Sequence, residues 1–260
     1  FVANIHLVTP IDDEGHVAVN PSPIEPQSIP LIYRLENADL RLAEPFRLGA
    51  GVSRQLVLSL EGASTDVAAD TYLSLVVTPS PKLATQKTPR AVATAGLGSL
   101  ILTTLTPEGT LPVNLEIENF DLPTIHDSSR PLTTNPVIFN QAPVMLRVVG
   151  DYAITHPQGE TVFQLPIYNN LILKASKRIV QGVNDLGEPI PLDWQPRWSD
   201  IGLHTVRLTI KTVGGTTIQE VERSIWVAPI RVGIILLIAV ISVLLLTLLR
   251  WRRRVHGIDN

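Results

Sequence analysis

An acidic run near the N-terminus is the first group of side chains whose types could do chemistry. Asp12, Asp13 and Glu14 precede Gly15, and clustered carboxylates supply the oxygen ligands that Ca²⁺ prefers. A calcium loop needs acidic residues at alternating positions and a distal bidentate acid, whereas these three are consecutive. The run therefore predicts a hairpin turn, and we expect no metal site there.

Nucleophilic and zinc chemistry are the next candidates. The segment 126–129 (His-Asp-Ser-Ser) contains the residue types of a catalytic triad but lacks the elbow motif of a nucleophilic serine, so a solvated loop is the favoured interpretation. The six histidines never recur at the i, i+4 spacing of a helical zinc site, and the absence of cysteine excludes thiolate ligands and cysteine nucleophiles. We therefore expect a protein that is not an enzyme and has no metal and no cofactor.

Two tryptophans beside an arginine form the candidate ligand-contact group. Trp194, Arg197 and Trp198 lie close together in the sequence, and exposed indoles there could stack on sugar rings or anchor a protein partner. Tryptophan is mostly buried in folded proteins, so core packing is the favoured interpretation of the pair.

One segment near the C-terminus is predicted to cross a membrane. From Val232 to Leu249 the chain has 18 consecutive residues without a charge. As a helix they span roughly 27 Å, close to the thickness of a bilayer's hydrocarbon core. Trp226 is expected at the outer membrane interface and Trp251 in the headgroup layer. The predicted membrane-anchor residues are Trp226, Arg231, Val232, Leu249, Arg250, Trp251, Arg252, Arg253 and Arg254.

The charges around this segment predict where the rest of the chain lies. One arginine precedes it and four follow it, so residues 1–228 should lie outside the plasma membrane, with the C-terminus in the cytoplasm. The net charge is −3, of which residues 231–260 contribute +4, so −7 remains for residues 1–230. This acidity disfavours nucleic acid and anionic lipid headgroups as ligands. Export needs a signal and none precedes Ile5, so we expect a processed chain or a fragment of a longer precursor.

The body of the chain is predicted to form β-structure. It holds most of the 21 prolines and 16 glycines, which interrupt any long helical pattern. Apolar or β-branched runs bounded by turn residues recur instead, and short strands with frequent turns are typical of antiparallel sandwiches. The predicted strands cover 31–35, 54–60, 71–78, 99–106, 113–120, 144–149, 161–165, 171–174, 204–213 and 216–227.

Residues 1–228, which precede the predicted span, are enough for two domains of the usual size. The predicted fold is all-β, with two tandem immunoglobulin-like β-sandwiches followed by one C-terminal transmembrane α-helix. A weak similarity between 70–77 and 202–209 supports this division, with Tyr72 as a tyrosine corner tied to the preceding loop and His204 at the matching position. Residues 80–94 are predicted to form an exposed loop, and a linker is the alternative. The predicted boundaries are 1–108 for the first sandwich, N-terminally truncated, 109–228 for the second, 229–250 for the helix and 251–260 for a basic tail.

Short segments in both halves carry a resemblance to a known family. They are strand entries and strand ends at 45–48, 51–56, 68–72, 96–100, 150–152, 156–159, 192–194, 201–204 and 225–229. In this pattern the chain resembles bacterial membrane-anchored surface proteins with tandem immunoglobulin-like domains, related to the WxL-interacting proteins of Gram-positive cell walls. The resemblance implies a fold similar to that of pilus chaperones and a role in holding partner proteins at the wall. The chain departs from the family at its N-terminus, where the first strand is not evident, and at His204, where another aromatic is usual.

The favoured function is that of a non-enzymatic cell-surface binding or scaffold protein, anchored by one membrane span. Its sandwiches would present edge strands and loops to an extracellular protein partner. The alternative is a cell-wall glycan-binding module that uses Trp194 and Trp198. The expected partners are thus the membrane and a protein or a wall glycan, and no nucleic acid.

Overall fold

The computed structural model describes residues 1–25, 28–63, 66–80, 96–107, 109 and 111–256, with side chains of the C-terminal helix as far as 248. These residues are mostly strand, with one apolar helix at the C-terminal end, which confirms that part of the predicted fold class. The loop predicted at 80–94 lies, apart from Ser80, outside the described residues.

Short antiparallel strands alternate with turns along most of the described chain. The elements are β1 Val2–Pro10, β2 Val17–Pro23, β3 Leu31–Leu35, β4 Leu58–Gly62, β5 Ala69–Thr78, β6 Leu97–Leu105, β7 Leu115–Asn119, β8 Ile125–Asp127, β9 Leu132–Thr134, β10 Val137–Asn140, β11 Leu146–Thr155, β12 Thr161–Ile172, β13 Lys177–Ile179, β14 Gly182–Val183, β15 Pro189–Ile190, β16 Leu192–Trp194, β17 Gly202–Thr212, β18 Thr217–Ala228 and α1 Ile230–His256.

Two differences from the predicted strands have clear local causes. Strand β1 was not predicted, because a bulge between His6 and Val8 breaks the alternation that marks a strand. Strand β12 was predicted as two pieces on either side of Pro166, since proline cannot donate to a ladder. In the described chain β14 pairs with β12 only where Ile167 meets Gly182, so the proline interrupts little pairing on that side.

The chain divides into two compact units. The first comprises Phe1–Glu116, Val137–Arg147 and Leu171–Ile179, and the second comprises Ile117–Pro136, Val148–Asn170 and Val180–Asn260. The domain boundaries 1–108 and 109–228 and the immunoglobulin-like class of each domain remain predictions.

Two sheets of the first unit share an apolar core. The four-stranded sheet has the order β2-β1-β5-β6, and β3 pairs with β4 in a second sheet. Ile5, Leu31 and Leu73 form a buried cluster that joins strands of both sheets. The acidic run forms the predicted hairpin turn between β1 and β2, and Gly15 adopts the positive φ of 91° that such a turn requires.

The opposite face of β5 carries a buried polar cluster. The Tyr72 hydroxyl donates a 2.5 Å hydrogen bond to the Asp70 carboxylate and accepts a 2.8 Å bond from the Lys174 backbone N–H. The same carboxylate accepts bonds from the Thr104 hydroxyl at 2.6 Å and from the Met145 backbone N–H. The expected tyrosine corner is therefore wrong, because this hydroxyl bonds to a side chain of its own strand and to the segment at Lys174. Burial and the adjacent Asp70 carboxylate raise the pKa of Tyr72 well above its usual range.

The second unit is built on a seven-stranded sheet, with the order β15-β14-β12-β11-β17-β18-β8. Strand β17 pairs antiparallel with β11 and β18 over most of its length, and β8 adds a parallel edge beside β18. A separate pair, β9 and β16, joins Leu132 to Trp194. One face of the long sheet is buried, and its core residues include Tyr152, Ile154, Val206, Leu208, Ile210, Ile225 and Val227.

The polar cluster on β5 generates a stability prediction. Replacing Tyr72 by Phe removes one of the three donors to the Asp70 carboxylate and the acceptor of the Lys174 N–H, so it should destabilise the protein by about 1–3 kcal/mol. Urea unfolding of the full chain in nanodiscs measures this change. The control Tyr33→Phe removes a single 3.0 Å bond to the Ile24 carbonyl from a half-buried ring and should cost less. Equal costs for the two variants would contradict the prediction.

Candidate functional site

The structure separates the two tryptophans of the candidate ligand contact. Trp194 lies on β16 opposite Leu132 and is only 3% exposed, as expected of a core residue. Trp198 begins a single 3-10 turn, Trp198–Asp200, and is 70% exposed. The prediction of core packing is therefore confirmed for Trp194 and wrong for Trp198, whose exposed side chain can contact a ligand or a surface.

Hydrogen bonds within the turn hold Trp198 in this position. The Arg197 backbone N–H donates to Oδ2 of Asp200 at 2.7 Å, and the Ser199 hydroxyl donates to Oδ1 of the same carboxylate at 2.9 Å. Asp200 is buried, so both carboxylate oxygens are satisfied inside the turn. This side chain orders the turn and is not offered to a ligand.

A cavity of about 360 Å³ lies beside this turn in the second unit. It combines apolar and aromatic walls with charged and amide groups. Trp198 is not part of its lining. The lining residues are Val162, Phe163, Asp193, Trp194, Gln195, Arg197 and Asp200.

Three rings lie against one another next to this cavity, in tilted rather than stacked arrangements. His204 is fully buried, with its ring centroid 4.5 Å from that of His156 and 5.4 Å from that of Trp194. Its Nδ1 lies 3.2 Å from the Gly202 carbonyl oxygen, which can only accept, so the neutral ring carries its hydrogen on Nδ1. Burial lowers the pKa of His204, and the neighbouring His156 acts in the same direction. Within the described chain Nε2 is buried without a hydrogen-bond partner.

The residues that the structure describes contain no candidate metal site. No group of three His, Asp or Glu side chains there could hold a metal ion. The segment 126–129, expected as a solvated loop, begins instead within β8, because His126 and Asp127 pair in parallel with the end of β18. His126 is buried, and its Nε2 lies 2.9 Å from the Arg130 carbonyl oxygen.

The C-terminal helix continues almost directly from the sheet of the second unit. Strand β18 ends at Ala228, α1 begins at Ile230, and only Pro229 lies between them. The stretch Ile230–Leu248 has a mean hydropathy of 2.8, none of it is buried, and it is long and apolar enough to cross a membrane. Val232 lies in its first turn.

An ion pair ties the start of the helix to the sheet. The Arg231 Nε lies 3.5 Å from Oδ2 of Asp127, the last residue of β8. Although burial raises the pKa of Asp127, hydrogen bonding by Ser129 and the charge of Arg231 outweigh it, so the pKa lies below its ordinary value and the carboxyl is ionised at neutral pH. Sequence reasoning considered Asp127 only as part of a triad and missed its ion pair with Arg231, since only the pairing of β8 with β18 brings it to this helix.

The remaining predicted anchor residues fall into two groups. Trp226 is half exposed on β18, four residues before α1 begins. The others lie in the last part of α1, beyond the described side chains, and are Leu249, Arg250, Trp251, Arg252, Arg253 and Arg254.

Comparison of this chain with models of protein families, with curated proteins and with solved structures found no match. The resemblance to WxL-interacting proteins therefore stays a hypothesis that rests on the sequence pattern.

The different burial of the two tryptophans predicts different costs of removal. Trp194→Ala should destabilise the protein by about 3–5 kcal/mol, because it empties a core position. Trp198→Ala should change the free energy of unfolding by no more than about 0.5 kcal/mol, as for an exposed surface residue. Urea unfolding of both full-length variants measures this, and a large loss on removing Trp198 would show that its side chain is packed.

The lowered pKa of His204 predicts acid sensitivity of the fold. Above the ordinary histidine value of 6.5 the ring is neutral in both states and contributes no pH dependence. As the pH falls below 6.5, the unfolded chain takes up a proton that the folded unit resists, so stability falls until the lowered folded pKa is reached.

We therefore expect His204→Phe to lose less thermal stability between pH 7.5 and pH 5 than the parent chain. The control His6→Gln removes a histidine of the first unit and should retain the parent's acid sensitivity. An unchanged loss in His204→Phe would show that other groups cause it.

Proposed function

We propose that this protein is a non-enzymatic, membrane-anchored binding or scaffold protein of the bacterial cell surface. Its β domains would act outside the plasma membrane in protein–protein interaction. The carrying observation is the exposed apolar stretch Ile230–Leu248, which follows β18 after a single residue and so holds the second unit next to the membrane that it enters.

Charge supports the orientation in which the β domains lie outside. Four arginines follow the apolar stretch within 250–254, whereas Arg231 alone precedes its core and is engaged with Asp127. Positive charge flanks the cytoplasmic side of a span, so residues 1–228 are assigned to the outside and 251–260 to the cytoplasm.

The two edges of the four-stranded sheet support binding by strand addition. Strand β2 contains Pro21 and Pro23, which blunt an edge because proline has no N–H to offer. Strand β6, Leu-Gly-Ser-Leu-Ile-Leu-Thr-Thr-Leu, has neither a proline nor a charge in its nine residues, and no described strand pairs with its outer edge. An extended segment of a partner protein could add to β6 through main-chain hydrogen bonds.

The fold is assigned, as part of this proposal, to two immunoglobulin-like sandwiches. The shared core of the two sheets in the first unit and the long antiparallel sheet of the second suit such domains. The sequence resemblance to WxL-interacting proteins adds the cell wall as the place of action.

A cell-wall glycan is the second candidate partner. The exposed indole of Trp198 offers a flat apolar surface of the kind that stacks on sugar rings, and Arg197 beside it lines the 360 Å³ cavity. Because Trp194 is a core residue, Trp198 alone is the informative position for this alternative.

The strand-addition proposal is tested with a photo-crosslinking residue at the exposed position Leu97 of the full chain in its native envelope. We expect adducts with a discrete protein partner, joined through an extended segment that mass spectrometry can identify. A charge on the edge opposes strand addition, so Ser99→Lys should lower the adduct yield by about tenfold, equivalent to roughly 1.4 kcal/mol.

The matched control is Val19→Lys on the proline-containing edge of the same sheet, which should leave the yield unchanged. Equal losses in both variants would contradict the assignment of the partner to β6. Retention of the full chain on protein-free wall polysaccharide, lost in Trp198→Ala and kept in Ser99→Lys, would overturn protein binding in favour of the glycan-binding alternative.

A further inference from the structure

An apolar row crosses the outer face of the second unit's sheet, on the face opposite its core. Strand pairing places Leu203 of β17 beside Trp226 of β18, and Trp226 beside Ile125 of β8. Directly paired residues lie on the same face of a sheet, so these three side chains are neighbours. They are 43%, 51% and 57% exposed, respectively. We call these three residues the apolar row.

The rest of this outer face is polar. The next pair along β17 and β18 is Thr205 with Ser224, and the one after it is Arg207 with Glu222. Arg207 forms ion pairs with both Glu222, at 2.5 Å, and Glu220, at 3.2 Å. The face is therefore suited to water along these rows and becomes apolar only at the apolar row.

The apolar row occupies the end of the sheet from which the span leaves. The residues that follow it, Ala228 of β18 and Asp127 of β8, are paired with each other, and Asp127 binds Arg231 in the first turn of α1. Successive rows on one face of a sheet are about 7 Å apart. The apolar row thus lies roughly 7 Å beyond this ion pair, on the side away from the span.

These dimensions match those of a bilayer. The 19 residues Ile230–Leu248 form about 28 Å of helix, close to a hydrocarbon core of about 30 Å, so Ile230 lies near the outer edge of that core. The headgroup layer adds about 5–8 Å on each side. Trp226 lies four residues before Ile230, so the apolar row reaches the headgroup layer when the sheet is inclined to the bilayer normal. A tryptophan between two aliphatic side chains suits that layer.

We propose that the apolar row is a lipid-contacting surface that seats the second unit on the outer headgroup layer of its own membrane. The contact is made by apolar and aromatic side chains, in keeping with the acidity of residues 1–230, and needs no anionic lipid. The unit is thereby held at a fixed inclination by two attachments, the helix and the apolar row.

The inference rests on the proposed membrane anchoring by α1, and its test separates the two. Because the chain has no cysteine, each introduced cysteine is a unique labelling site. Nitroxide labels are placed singly at Leu203→Cys and Ile125→Cys of the full chain, with Thr205→Cys as the matched control one row away and Val240→Cys within the span. The proteins are placed in phosphatidylcholine nanodiscs, one copy per disc, and relaxation by oxygen and by a water-soluble nickel complex is compared.

We expect the labels at 203 and 125 to be protected from the nickel complex and relaxed by oxygen, several-fold more than the label at 205. The second outcome is that the label at 240 is protected but the labels at 203 and 125 are as water-accessible as the label at 205. This result would support the membrane anchor and overturn the lipid-contacting surface. Protection at 203 and 125 only in discs with two copies would overturn it in favour of an interface between copies. Water access at 240 would instead overturn the membrane anchoring itself.

Discussion

The pairing of β18 with its two neighbours is the constraint on which the membrane end of this protein depends. Strand β18 is held by β17 along almost its whole length and by β8 at its last residues, and the helix starts one residue after it ends. Alternate side chains of this one strand therefore enter the core, as Ile225 and Val227 do, or stand on the outer face, as Trp226 does. Because the helix follows a paired strand after one residue, the sheet fixes the direction in which the span starts. A span on a flexible linker has no such fixed direction.

Buried polar groups impose the corresponding constraint on the first unit. Strand β5 is buried on both faces, so one face is packed with leucines and the other needs partners for a carboxylate and a phenol. Asp70 and Tyr72 find these partners in backbone N–H groups far along the chain, at Met145 and Lys174. An unpaired carboxylate in such a place would be costly, so the cluster requires these distant segments to be present for the unit to be complete.

The same physical distinction separates the candidate binding surfaces from the scaffold. Trp194 and His204 are buried against each other and support the second unit, whereas Trp198 stands outside a turn that Asp200 holds together. The edge strands of the first unit differ in a comparable way, because prolines protect β2 and no residue of β6 repels an added strand. Substitution of these exposed groups can therefore alter binding while the fold is retained.

The sequence by itself determined the features that depend on neighbouring residues: the β-rich body, the turn at 12–15 and the long apolar helix. Each of these follows from local periodicity, turn chemistry or length. Tertiary structure alone decided which of Trp194 and Trp198 is buried, which groups surround Asp70, and that Ile125, Leu203 and Trp226 form one row. Those facts depend on strand order and register between residues far apart in the chain, and no local pattern specifies which distant strand a given strand will pair with.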